Sequence, residues 1–451
     1  MFETLKNCFK VKEIRKKIWI TLLLLLIFRL GCYIPVPGIT VSTFSEAINS
    51  NSFLALLSSI TGGSLANATL FALGISPYIN ASIIIQLLTV GIPALERLSK
   101  QGEEGRKKIA QITRFVTIAL AVAQAVGIVV NFGVQSDSIK VALFGGGAIG
   151  AVSDKGAMWL AGIFLTVVYT AGAMLVMWIG ERITEYGISN GISLIIFAGI
   201  ISTAGLTIVA NFIEGVNGKF VRFWEILGFL ILTVIEFVAI ITVDLSERRI
   251  PVQYAKQVKG RKMYGGQSSV IPIRIAGSGV MPLIFAFALI SFPAMIISLT
   301  GSESANTGVS LWFSGSSPYW YVQLYYMVVL CLLIFAFSFF YQSMQFNPED
   351  VSKNIQQNGG FIQGIRPGRP TADYLKKISN RITLFGAIYL SLVAFVPSII
   401  SMILVGLGQE NLTLLSVFST TGILIVVSVA LELDKQLESQ LMMKNYKGFL
   451  K

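Results

Sequence analysis

Ten predominantly apolar stretches recur along this chain, each close to the ~20 residues a helix needs to cross a bilayer. They cover 18–36, 71–91, 112–133, 158–180 and 188–213 in the first half, then 223–245, 275–299, 318–343, 382–405 and 412–431. No soluble core could absorb so much apolar surface, and 54% hydrophobic against 13% charged residues, at a mean hydropathy of +0.73, agrees. The expectation is an all-α polytopic membrane protein. An even number of crossings puts both termini on one side.

The distribution of Lys and Arg decides which side, because cytoplasmic loops retain them. Lys6, Lys10, Lys12, Arg15, Lys16 and Lys17 precede the first stretch. The loops and tail on that same side take nearly all the rest of the 35 basic residues. The opposite loops hold only Lys140, Lys155, Lys219 and Arg222, and Arg29 lies inside the first stretch. Both termini are therefore expected in the cytoplasm. This topology signal accounts for the net charge of +12 without a nucleic-acid partner, although such a surface also attracts anionic headgroups of the lipid bilayer. The first stretch imitates a secretory leader, but Arg29 interrupts it and no A-x-A site follows, so cleavage is not expected.

Several chemistries are excluded. There is no histidine, the usual general base near neutral pH. Cys8, Cys32 and Cys331 are far apart and make no metal or disulfide motif. No phosphate-binding G-x-x-x-x-G-K-[ST] loop is present, and G-G-G-A-I-G at 145–150 lies in an outer loop without a βαβ context. No metal, no cofactor and no enzymatic activity are expected, so any work must be driven from outside the chain.

Two stretches carry the same punctuation near their start. Gly74 and Pro77 in the second, and Gly279 and Pro282 in the seventh, each read G-x-x-P, and each is second in its block of five. Paired interruptions at matching places point to a functional centre between two inverted repeats, while a single one is ordinary proline in a membrane helix. Residues 53–70 are apolar enough to enter the membrane, yet contain Gly62, Gly63 and several Ser and Thr, and no basic residue. They read as a re-entrant segment, which requires a protein-lined cavity. Ile75 and Ile79, and likewise Ile192 and Ile196, are spaced four apart on single helical faces. Glu236 is the one deeply placed acid. A transporter would place ionisable groups at mid-depth, whereas rigid isoleucines suit a constriction that excludes water and ions.

Five motifs carry a family resemblance. F-R-L-G-C-Y-I-P-V-P-G-I (28–39), F-A-L-G-I-S-P-Y-I-N-A-S-I-I-I-Q-L-L (71–88), N-G-I-S-L-I-I-F-A-G-I (190–200), E-R-R-I-P-V-Q-Y-A-K (247–256) and G-G-F-I-Q-G-I-R-P-G-R-P-T (359–371) resemble the SecY/Sec61 family of protein-conducting channels over essentially the whole chain. The resemblance implies ten transmembrane helices in two pseudosymmetric inverted halves of five, 18–213 and 214–431, around a central hourglass pore. A basic N-terminus (1–17) and a tail (432–451) flank them, and loops 246–274 and 344–381 serve for docking. It implies a pore ring of Ile75, Ile79, Ile192, Ile196, Ile284 and Ile425. It makes 53–70 a plug helix, with Ser58, Ile60, Gly62, Gly63, Leu65 and Asn67. Asn67 stands where the family often carries arginine, so a plug salt bridge is absent or relocated.

The implied lateral gate involves Gly74, Pro77, Gln86, Gln124, Gly279, Pro282 and Phe292, although the two glutamines also suit plain interhelical packing. Arg248, Arg249, Lys256, Lys259, Arg261, Arg366 and Arg369 are the implied docking residues, suited to ribosomal RNA phosphates or to acids on a motor. The implied partners are SecE and SecG, the SecA ATPase, the ribosome, signal peptides and nascent polypeptides, at the bacterial plasma (inner) membrane. The competing reading is an inverted-repeat secondary transporter for a small solute. A membrane-embedded enzyme comes third.

Overall fold

The structure is a computed structural model that describes residues 8–36, 63–135, 155–216, 221–254, 257–259, 262–264, 268–275, 281–298, 312–313, 319–406 and 420–448. Every apolar stretch overlaps a helix. In chain order these are α1 Lys12–Gly31, α2 Ser76–Gly91, α3 Pro93–Ser99, α4 Glu103–Gln135, α5 Lys155–Tyr186 and α6 Gly191–Val216. After them come α7 Val221–Leu245, α8 Met281–Ser298, α9 Trp320–Gln345, α10 Pro348–Gln357, α11 Arg369–Gly406 and α12 Thr420–Gly448. Four of these are long and apolar enough among the described residues to cross a bilayer, and α2 with α3, bent by 104° at Ile92, would make a fifth. Leu22, Leu23, Leu26 and Leu30 on α1, and Val234, Ile235 and Val238 on α7, are exposed. Such continuous apolar surface belongs in lipid, and the chain is a multi-pass membrane protein.

The helices close into a circuit. α2 packs on α4, α4 on α5, α5 on α6, α6 on α7, α7 on α12, α12 on α11, α11 on α9, α9 on α8, and α8 returns to α2 and α4. α1 lies against α5 and α6. The order α2–α4–α5–α6 in the first half recurs as α8–α9–α11–α12 in the second, and the contact of α1 with α6 recurs as that of α7 with α12. Two hydrophobic clusters are each drawn mainly from one half, with Val429 of the second half joining the first cluster and Ile83 of the first half joining the second. One gathers Phe28, Phe71, Ile75, Val176, Ile179, Ile183 and Leu194; the other gathers Leu283, Phe285, Ile290, Leu330, Ile334, Phe337 and Leu390.

Three expectations need correction. The interruption of the second apolar stretch is a helix start: residues 71–75 form turns, Gly74 has φ 53°, and Pro77 falls in the first turn of α2. Proline fits there because a first-turn N–H has no intrahelical partner anyway. Pro282 holds the same place in α8.

Second, residues 63–70 of the expected plug helix are turns, apart from Thr69, which forms a single antiparallel bridge with Pro35. Gly63 (φ 81°) and Ala68 (φ 48°) are left-handed, which ends any helix. The segment instead bonds to the end of α1: the Val36 N–H donates to the Ala68 carbonyl at 3.0 Å and the Leu70 N–H to the Ile34 carbonyl at 2.9 Å. Ser58, Ile60 and Gly62 lie outside the described residues.

Third, the all-α frame carries short strands in its connections, which the sequence reading did not include. β1 (Glu247–Tyr254) pairs antiparallel with β4 (Ser268–Arg274), with Ile250 opposite Ile271. β2 (Gln257–Lys259) and β3 (Lys262–Tyr264) form a ladder between them in sequence. β5 (Gly360–Phe361) then adds to the other edge of β1, Gln253 opposite Phe361. Alternation along β1 turns Ile250 and Val252 inward and leaves Arg249, Pro251 and Gln253 exposed, as a period of two requires.

Candidate functional site

Of the six isoleucines, Ile79 and Ile425 pack on both clusters, and the other four divide between them. Ile75 (4% exposed) precedes α2, and Ile196 (5%) lies in the second turn of α6; both belong to the first-half core, with half-buried Ile192 beside them. Half-buried Ile284 on α8 packs on the second-half core. Ile79 on α2 and Ile425 on α12 pack on both.

Local sequence sets the position of the α6 pair. The Asn190 side chain accepts the Ile192 N–H at 3.1 Å, the cap expected at a helix N-terminus. The Gly191 N–H donates to the Thr184 hydroxyl at 2.8 Å. A Cβ on Gly191 would stand 2.0 Å from the Gly180 carbonyl oxygen, so only glycine permits this approach of α6 to α5. Gly180 in turn is the floor on which Ile75 and Ile192 converge, since a Cβ there would meet Ile75 Cδ1 at 3.5 Å and Ile192 Cγ1 at 3.6 Å. Gly180 carried no signal in the sequence, whereas its partner Gly191 ends the G-I-S-N-G run before Ile192.

On the far side of the circuit, α8 closes against α2 and α4. The Tyr341 hydroxyl of α9 donates to the Gln86 side-chain oxygen of α2, and the Gln86 amide donates to Ser82 Oγ at 3.3 Å. Gln124 on α4 is buried at 6% exposure. Pro282 is buried and Phe292 half-buried on α8, and Gly279 lies outside the described residues. Nothing in the sequence singled out Tyr341.

Leu65 is fully buried among Val36, Ala121, Ala125, Leu165 and Tyr169, while Asn67 is exposed. The Ser64 hydroxyl donates to the Phe71 carbonyl and the Thr69 hydroxyl to the Ser64 carbonyl, both at 3.0 Å. The turns at 63–70 are thus tied within themselves and to α1.

The two long loops, separate in sequence, form one body. Ile250, Val252 and Ile273 of the sheet pack with Ile355 of α10, Ile362, and Leu375 of α11. Arg248, Arg249, Arg366 and Arg369 are all exposed on it. The arginine tip is held from behind: the Ser352 hydroxyl donates to the Gly368 carbonyl at 2.6 Å and the Thr371 hydroxyl to the Arg366 carbonyl at 2.8 Å. Gly364 (φ 84°) and Gly368 (φ 98°) supply left-handed turns on either side. Lys259 ends β2, and Lys256 and Arg261 lie outside the described residues. Glu236 is buried in α7 at 7% exposure. Arg29 lies with its guanidinium carbon 5.8 Å from the Tyr33 ring centre.

The family model for SecY matches residues 69–433. The chain belongs to the SecY family. It is 42% identical to the protein translocase subunit SecY of Streptomyces griseus, over all of both chains. It is 41% identical to that of Corynebacterium glutamicum, over 99% of each. In fold it is similar to a solved protein-conducting channel, with a TM-score of 0.63 at 20% identity, covering 94% of this chain and 92% of that one. The same TM-score and coverage, at 19% identity, hold for Sec61 in the canine ribosome-channel complex from the endoplasmic reticulum. Another similar SecY structure, at 20% identity, is of a protein whose plug domain stabilises the closed state of the channel and maintains a membrane seal.

Proposed function

We infer that this chain is a protein-conducting channel. It passes unfolded secretory polypeptides across the membrane and releases apolar segments sideways into lipid. The observation that carries the reading is 42% identity, along the whole of both chains, with a SecY translocase subunit; the packing of Ile79 and Ile425 on both hydrophobic clusters supports it. The channel is passive: the energy comes from a partner ATPase, the ribosome or the proton-motive force.

The ten helices form two inverted halves of five, a reading supported by the neighbour order that repeats between them. Both termini lie in the cytoplasm of a bacterium, on the side that retains the basic residues. An isoleucine collar makes no specific hydrogen bond to a passing chain and dewets when empty, so it yields to a polymer while excluding ions. Lateral release needs no catalyst. Ten central leucines favour lipid by roughly 3–6 kcal/mol in all, while one central Lys or Arg costs about 2.5–3.5 kcal/mol. A seam between α2 and α8 that samples lipid sorts on that difference. Opening it exchanges protein contacts for equally apolar lipid tails.

The sheet, α10 and the start of α11 form the docking body, with Arg248, Arg249, Arg366 and Arg369 presented to SecA or to ribosomal RNA; SecE and SecG are the membrane companions. Reconstitution tests the whole reading. Liposomes holding the chain with SecE and SecG should import a secretory precursor when SecA and ATP are added. Solute uptake by the chain alone, without precursor import, would instead establish the transporter reading.

A further inference from the structure

We propose that Tyr341 is a positioning residue that ties the seam-facing side of α2 to the cytoplasmic docking body. The inference rests on the channel reading and adds a residue of α9, a helix whose sequence gave no sign of a role at the seam.

Ile79, Ile83 and Gln86 follow the 3.6-residue period along one side of α2, and Ile79 and Ile83 pack against the second-half core. Gln86 ends that side, about 10 Å along the axis from Ile79 by helical rise. Its partner Tyr341 is 8% exposed, and its ring lies 5.1 Å from that of Phe285 on α8. Packing fixes the ring, so the hydroxyl has one place to donate, and that place is Gln86.

The same turn of α9 is anchored to the docking body. The Gln342 amide donates to Ser379 Oγ of α11 at 3.0 Å, and both side chains are buried. Phe346, the extended residue that follows α9 and donates its N–H to the Gln342 carbonyl at 3.0 Å, packs into the core of the sheet with Ile250, Val252 and Leu375. Tyr341 lies near the end of α9, and Phe346 caps that end through its bond to Gln342. A displacement of the docking body therefore moves the Tyr341 hydroxyl relative to Gln86, and with it the strand of contacts that leads down α2 to Ile79.

Neutral buried hydrogen bonds contribute about 1 kcal/mol, equivalent to roughly fivefold in an equilibrium. The test uses the full chain with SecE and SecG in liposomes, carrying Tyr341→Phe, Gln86→Leu or both. Two quantities are read: import of a precursor with a weakened signal, and the ratio of SecA-driven to unassisted import. Each single variant should raise weakened-signal import about fivefold and lower the SecA-driven ratio, and the double variant should do no more than either single one. Additive effects in the double variant, or a ratio equal to wild type in both singles, would overturn the proposal. If Tyr341→Phe fails to fold, Gln86→Leu, which leaves the ring packed on Phe285, decides by the same ratio. Failure of the wild-type complex to import any precursor would count against the channel reading instead.

Discussion

Ile79 of α2 and Ile425 of α12, one from each half, pack against both hydrophobic cores at once. An amide at either place puts hydrogen-bonding groups into the meeting surface, where an unsatisfied one costs about 1–3 kcal/mol. Ile79→Asn and Ile425→Asn should each raise resting ion conductance in planar bilayers and let weak signal sequences pass more readily. Ile79→Val, which removes one methylene, should keep the seal. Wild-type conductance in both asparagine variants would remove these residues from the ring.

Gly191 and Gly180 differ in what they tolerate. Alanine at 191 drives a Cβ to 2.0 Å from a backbone oxygen, whereas at 180 the nearest atom is Ile195 Cδ1 at 3.4 Å, an ordinary contact. Gly191→Ala should destabilise the protein by about 1–3 kcal/mol and shift Ile192. Gly180→Ala should be neutral or gain up to about 1 kcal/mol from helix propensity. Thermal unfolding in detergent separates the two, and equal midpoints would contradict the close approach of α6 to α5.

Thr69 is 1% exposed and its hydroxyl holds the Ser64 carbonyl. Thr69→Val should cost about 1 kcal/mol and speed hydrogen exchange across residues 63–75, with helix α5 unaffected. Unchanged protection there would mean that the bonds to residues 34–36 alone hold these turns.

Arg366→Glu should weaken ribosome binding and lower the salt dependence of binding by about one unit of slope, the signature of a lost phosphate contact. Resting conductance should not change. Glu247 meets Arg249 at 2.7 Å, but Arg249 is 70% exposed. Such pairs are worth about 0–1 kcal/mol, so Glu247→Ala should leave the melting midpoint close to wild type. A large drop would reveal a structural role for the pair.

The helices of the ten apolar stretches were legible in the sequence because each required a long apolar run, whereas the short polar α3 and α10 were not. The spacing singled out Ile75, Ile79, Ile192 and Ile196, and the family resemblance added Ile284 and Ile425; of these, Ile79 and Ile425 pack on both clusters. The turns at 63–70 were not, because Ala68 adopts a left-handed backbone that alanine's own preference opposes and that bonds to Val36 impose. Nor was the sheet: Gly360 and Phe361 carry no strand pattern by themselves and become extended by pairing with β1, more than a hundred positions earlier in the chain. Tyr341 looked like one aromatic among many in F-A-F-S-F-F-Y. Its distinction comes from a hydroxyl whose partner is 255 positions away.

The pairing of β5 with β1 stitches the connection between α7 and α8 to the connection between α9 and α11. Force delivered to an arginine tip is thus shared among the ends of four helices, α7, α8, α9 and α11, rather than spent bending one loop. Under the proposed docking role, a motor gripping that tip would pull on these helices together, with α8 among them.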